Sequence, residues 1–173
     1  FDSFGNKITW FGYKMHLSVD TASELPMAIK VTPAHVNDGE VAPELIEQVA
    51  ERTKSKIEFL IMDGGYDQLK NYESAKNIGA QAIIPLNLRN EKEPPEGISS
   101  NGTPRCSMGY EMTYWGADKD QLKFRCPHAT GKVDCPLGMA ACSSSNYGMV
   151  VKVDIKKDVR RYSNPHRDTK RWK

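Results

Sequence analysis

Asp63, Gly64, Gly65, Tyr66 and Asp67 are the residues whose types and order most suggest chemistry. They follow a continuous apolar run at 59–62, the pattern of a strand buried on both faces of a sheet. A carboxylate at the carboxyl end of such a strand lies in the crevice where open α/β sheets gather their functional groups. There Asp63 could meet a metal ion or a substrate while its strand stays in the core. Gly64 and Gly65 allow a sharp turn and the close approach of a ligand. The plainer reading has Asp63 opening a turn or capping the next helix. Asp67 likewise reads either as a helix N-cap or as a group that orients a metal ligand.

The cysteines form a second set, spaced Cys106-x19-Cys126-x8-Cys135-x6-Cys142 within one segment. The residues given show no secretory leader, which favours a metal site over a disulfide framework. Zinc held by thiolates would suit a small insert with few core residues, and His128 is a substitute ligand. The spacing lacks two tight Cys-x-x-Cys pairs, so reduced, partly buried cysteines stand beside zinc as an alternative. A third set is basic. Residues 151–173 carry nine Lys or Arg against three acids, a surplus of six, in a chain whose net charge is only +2. Such a segment is either the footprint of a nucleic-acid partner or a solvated end.

The elements that must position these groups follow from periodicity. From Tyr13 the chain alternates, with Tyr13, Met15, Leu17 and Val19 on one face and Lys14, His16 and Ser18 on the other. That is a half-buried strand, and residues 25–32 read as its antiparallel partner. Lys14 and His16 then lie on the polar face, as surface residues or as groups reaching toward phosphate or a metal site. Asn37 or Asp38 can cap a helix that carries Val41, Leu45, Ile46 and Val49 at helical spacing. A second helix is expected over 68–77, ending before Gly79, and a short buried strand over 80–86. Hairpin, helix, strand, helix, strand calls for an α/β fold with a parallel portion of sheet and covering helices.

Beyond this core, residues 87–104 turn polar and rich in Pro and Gly, as a linker does. Residues 105–146 read as a small β-rich insert carrying the cysteines, with strand-like pieces at 111–115 and 121–125. Residues 147–173 begin with a further return strand and lead into the basic end. At 173 residues, 39% hydrophobic and 27% charged, the composition is that of an ordinary globular protein. No apolar run approaches the roughly 20 residues that span a bilayer.

Four stretches also resemble a known family when taken together. They are Trp-Phe-Gly-Tyr-Lys-Met-His-Leu-Ser-Val-Asp (10–20), Glu-Leu-Pro-Met-Ala (24–28), Val-Asn-Asp (36–38) and Ile-Met-Asp-Gly-Gly-Tyr-Asp (61–67). In this order they resemble the catalytic core of bacterial insertion-sequence transposases of the DDE type. The resemblance implies a ribonuclease H-like fold in which three acids bind two Mg²⁺ or Mn²⁺ ions, and DNA is cut and rejoined by a homodimer in the bacterial cytoplasm. Asp63 matches the second acid. The first is expected upstream of Phe1, Asp2 being the only acid near that end. The third, a Glu on a helix, is expected after residues 167–173. No Glu follows Glu111, so the chain reads as an inactive fragment of an active enzyme. Lys14, His16, Arg160, Arg161, Arg167 and Lys170 are the candidates for DNA contact, positioning the backbone rather than reading sequence. A nuclease of the same fold and a non-catalytic DNA-binding module are the alternatives.

Overall fold

Alternation from Tyr13 builds the first hairpin: β1 (Tyr13–Val19) pairs antiparallel with β2 (Pro26–Pro33), Tyr13 opposite Pro33 and His16 opposite Lys30. The computed structural model describes residues 5–7, 11–167, 169, 170 and 172. Asp2, Trp10, Asp168, Arg171 and Lys173 lie outside the described residues. Phe1–Ile84 and Pro85–Lys173 are separate compact units. Both are built from small elements, giving a mixed α/β protein with two helices and three small sheets among the described residues.

In the first unit the hairpin is half-buried, but the buried half is the polar one. His16, Ala28 and Thr32 are buried, whereas Tyr13 and Met15 keep 80% and 65% of their surface in solvent. Two local facts explain the inversion. Ala28 is small enough to let α1 (Asp38–Arg52) pack Val41 and Leu45 directly against it. His16 is accommodated because both ring nitrogens find a hydroxyl, Tyr66 at 3.2 Å and Thr32 at 3.0 Å. Asn37 is the N-cap of α1, its side chain accepting from the Gly39 N–H at 3.0 Å. Pro43 sits within the helix and removes one backbone donor near its start.

The apolar run expected as a fully buried strand is shorter and more open. β3 (Phe59–Ile61) pairs in parallel with β4 (Gln81–Ile83), and Ile61 is exposed. The Met62 N–H continues the ladder to the Ile83 carbonyl at 3.0 Å. This pair and the hairpin are separate sheets among the described residues, rather than one sheet with antiparallel and parallel portions. Between β3 and β4 come a 3-10 turn (Gly64–Tyr66) and α2 (Leu69–Asn77), which buries Asn71, Tyr72 and Ala75. Asp67 is not the cap of α2, a place held by Gln68. It is buried and accepts from the Tyr72 hydroxyl at 2.8 Å.

In the second unit β5 (Thr113–Asp118), β6 (Gln121–Arg125) and β7 (Val150–Asp154) form an antiparallel meander with β6 in the centre. The further strand that opens residues 147–173 is the third strand of this sheet. Met112, Leu122 and Phe124 make the buried core. His166 is fully buried, stacked on Tyr114 and edge-on to Phe124 with centroids 5.1 Å away in both cases. Residues 87–104, expected as a linker, are built into this unit. Ser99 and Thr103 are buried, Ile98 bridges to Pro104, and Glu91 is clasped by Arg161. Gly148, at the entry to β7, has φ +81°, and a Cβ there would meet the Ala129 Cβ at 2.6 Å and the Cys126 Cβ at 3.0 Å. Gly148→Ala is expected to destabilise this unit by about 2–4 kcal/mol, combining left-handed strain with overpacking. Chemical denaturation followed by Trp fluorescence checks it, and a change under about 0.5 kcal/mol, the usual range for a harmless surface substitution, would contradict it.

Candidate active site

β3 delivers Asp63 to its carboxyl end, where the carboxylate accepts the Gly65 N–H at 2.7 Å and opens the 3-10 turn. The turn is tight because Gly65 carries no side chain. A Cβ on Gly65 would lie 2.9 Å from Asp63 Oδ1 and 3.8 Å from Asp38 Oδ2. Both carboxylates therefore face one small space whose floor is the Gly65 backbone. Asp38 reaches this space from the first turn of α1, while its other oxygen pairs with Lys14 Nζ of β1 at 2.6 Å.

Tyr66 closes one side. Burial raises its phenol pKa above the ordinary value, and the negative charges of Asp38 and then Asp63 raise it further. The phenol thus stays protonated and faces His16 Nδ1, whose other nitrogen meets Thr32. The raised pKa fixes a sign. The folded unit favours the protonated phenol, so this contribution to stability is intact below about pH 10 and is lost as pH climbs through the folded value. With the chain labelled at tyrosine and followed by NMR, the Tyr66 resonance is expected to titrate above the ordinary tyrosine range. Asp38→Asn should move its midpoint down, and an unmoved midpoint would mean the carboxylate does not act on the phenol.

The two acids supply hard oxygen donors, the kind that Mg²⁺ and Mn²⁺ take. The missing Cβ at Gly65 leaves the approach between them open. Among the described residues no three His, Cys, Asp or Glu side chains group as a metal site. The donor set here is two carboxylates, fitting a hard cation but not enclosing one. Of these groups, sequence reasoning singled out Asp63, Lys14 and His16. Asn37 and Asp38 read there as helix caps that also belong to a family motif, and Tyr66 as part of the Asp63 motif without a role of its own. One signal was present: a helix has a single N-cap, so of two adjacent polar residues one is left over for other work.

The remaining candidates fall elsewhere. His16 is buried, so it is not a surface residue offered to phosphate. Arg161 is buried, with its guanidinium on both oxygens of Glu91 at 2.8–2.9 Å and on Asp158 at 3.4 Å. Arg167 is buried and donates to the carbonyls of Arg161 and Arg160. Both are occupied in holding the second unit together, which corrects the expectation that they face DNA. Arg160 is half-buried and donates to the Asn87 carbonyl at 3.0 Å, whereas Lys170 is exposed and Lys14 half-exposed. All four cysteines line a single cavity in the second unit, with His128 beside them.

Among the described residues no helix is long and apolar enough to cross a membrane. A family model described as Transposase DDE domain matches residues 2–133. No curated protein and no solved structure matches the chain.

Proposed function

Because the chain belongs to the transposase DDE domain family, we propose that it supplies part of a ribonuclease H-like active site for DNA strand cleavage and strand transfer, with Asp63 as a metal ligand. The observation that carries this reading is the Asp63 carboxylate at a strand end, facing Asp38 across the open Gly65 backbone. Two divalent ions, Mg²⁺ or Mn²⁺, would supply Lewis-acid activation of the attacking hydroxyl and stabilisation of the leaving oxygen.

The chain's own residues have distinct tasks. Asp63 holds its charge toward the metal while its bond to the Gly65 N–H fixes the carboxylate's direction. Asp38 adds a second negative charge, and Lys14 holds it in place while keeping the local charge from becoming purely repulsive. Tyr66 remains a neutral donor, steadied by the buried His16–Thr32 pair. Lys14, Arg160 and Lys170 are the residues left to meet the phosphate backbone of transposon ends and target. A second copy of the enzyme would complete the active complex.

The test is Mg²⁺-dependent cleavage and joining of a labelled transposon end by the protein, wild type against Asp63→Asn. Undiminished cleavage by the variant would overturn the assignment of Asp63. Cleavage without joining would make the protein a nuclease rather than a transposase.

A further inference from the structure

The segment between β6 and β7 has no regular secondary structure, although it runs from Cys126 to Met149. Loops of this length without elements of their own are uncommon in compact proteins unless something pins them. The hydrophobic core beneath offers little, with Met112, Leu122 and Phe124 as its buried residues. Three of the four cysteines lie in this segment and the fourth, Cys106, precedes β5.

Each cysteine sits at a backbone turn. The Cys106 carbonyl accepts from the Gly109 N–H at 2.8 Å and that of Cys135 from the Gly138 N–H at 3.0 Å. The Cys126 carbonyl accepts from the Thr130 N–H at 3.2 Å, and the Cys142 N–H donates to the Met139 carbonyl at 3.0 Å. Four separate turns bring their thiols to the walls of one cavity of about 20 Å³. Such a volume admits little more than one water-sized sphere, and a Zn–S bond is about 2.3 Å long. As placed, no three His, Cys, Asp or Glu side chains among the described residues already converge to ligand distance. Closing the site therefore requires the thiols to move inward from these positions.

The plain alternative, four cysteines serving as small buried hydrophobes, fits poorly. Cys106, Cys126 and Cys135 are only partly buried, and Cys142 is exposed. Cysteines used merely as packing are usually among the most buried residues of a protein. His128 also lines the cavity, but its Nδ1 is engaged with the Val133 carbonyl and the Cys135 N–H.

We infer that Cys106, Cys126, Cys135 and Cys142 bind one zinc ion as four thiolates, cross-linking the segment between β6 and β7 to the turn before β5. The four thiols release their protons to solvent on binding, and the ion takes over the ordering that the thin core cannot provide. Softness of the ligands selects zinc over the hard cations suited to Asp63.

The experiment uses the purified chain prepared under reducing conditions without chelator. Elemental analysis is expected to give about one zinc per chain. A mercurial that blocks thiols should release it to a chromogenic dye, and cobalt exchanged into the site should show the intense visible bands of tetrahedral thiolate coordination. Cys135→Ser and Cys142→Ser should each lose most of the bound zinc. Their proteolytic cleavage between Cys126 and Met149 should rise at least tenfold, whereas Ser144→Ala leaves both unchanged. Misfolding of a variant leaves the metal content and cobalt spectrum of the unaltered chain to decide. Less than about a tenth of an equivalent of zinc, with four titratable thiols, would overturn the inference in favour of free cysteines. Two or no titratable thiols would overturn it in favour of disulfides.

Discussion

Asp63→Asn is expected, on the proposed function, to lower strand cleavage on the order of a thousandfold or more while leaving the fold intact. The substitution separates two roles of one side chain. An asparagine Oδ1 can still accept the Gly65 N–H, so the 3-10 turn keeps its cap. What disappears is the negative charge facing the space shared with Asp38. Metal-assisted phosphoryl chemistry draws several kcal/mol from ions held by such charges, and about 1.4 kcal/mol is a factor of ten in rate. Asp63→Ala would remove cap and charge together and add about 1 kcal/mol of destabilisation, so the asparagine variant is the cleaner test. Cleavage of a labelled end under single-turnover conditions, beside a thermal melt, separates the outcomes. Equal melting temperatures with lost cleavage assign Asp63 to chemistry. A lowered melting temperature in step with lost cleavage would assign it to the turn instead.

Phe124→Ala is expected to destabilise the second unit by about 3–5 kcal/mol, enough to take most of the stability of a small domain. Phe124 is fully buried at the centre of the three-stranded sheet, 5.8 Å from the Tyr114 ring and 5.1 Å from the His166 ring. Its removal costs the transfer of a large ring and leaves a cavity that β5 and β7 cannot easily close. It also strips His166 of its edge-on neighbour, leaving the imidazole between Tyr114 and a void. Phe124→Leu retains much of the volume and should cost roughly half as much. Denaturant titration resolves the two, and equal losses in both variants would mean the ring geometry, not the filled volume, matters.

Local pattern carried much of the secondary structure. The hairpin, both helices and the strands at 80–86 and 121–125 lie within a few residues of where alternation, helical spacing and turn residues put them. The second unit's middle strand matches its expected bounds, Gln121–Arg125, because alternating Leu122 and Phe124 have one buried face to satisfy. What local pattern does not carry is which face gets covered. Period two divides β1 correctly into two sides, yet the side that packs on α1 is chosen by Ala28 and by the hydroxyls awaiting His16. The same blindness hid the partners of Asp38 and Tyr66. Lys14 meets Asp38 across 24 positions and His16 meets Tyr66 across 50, so neither contact leaves a local trace. Arg161 looked like part of a basic footprint because its partner, Glu91, lies 70 positions away in a stretch composed like a linker.

The uncovered side of the hairpin has a consequence for how the chain behaves in water. Tyr13, Met15, Leu17 and Val19, with Ile29 and Val31 beside them, hold a contiguous apolar surface in solvent. Water around such a surface is released when it is covered, with a gain that is mainly entropic near room temperature. That gain shrinks on cooling and grows in sulfate or phosphate, which are excluded from protein surfaces. Temperature and the choice of anion therefore act on this chain through one face of one hairpin, quite apart from the carboxylates on the other.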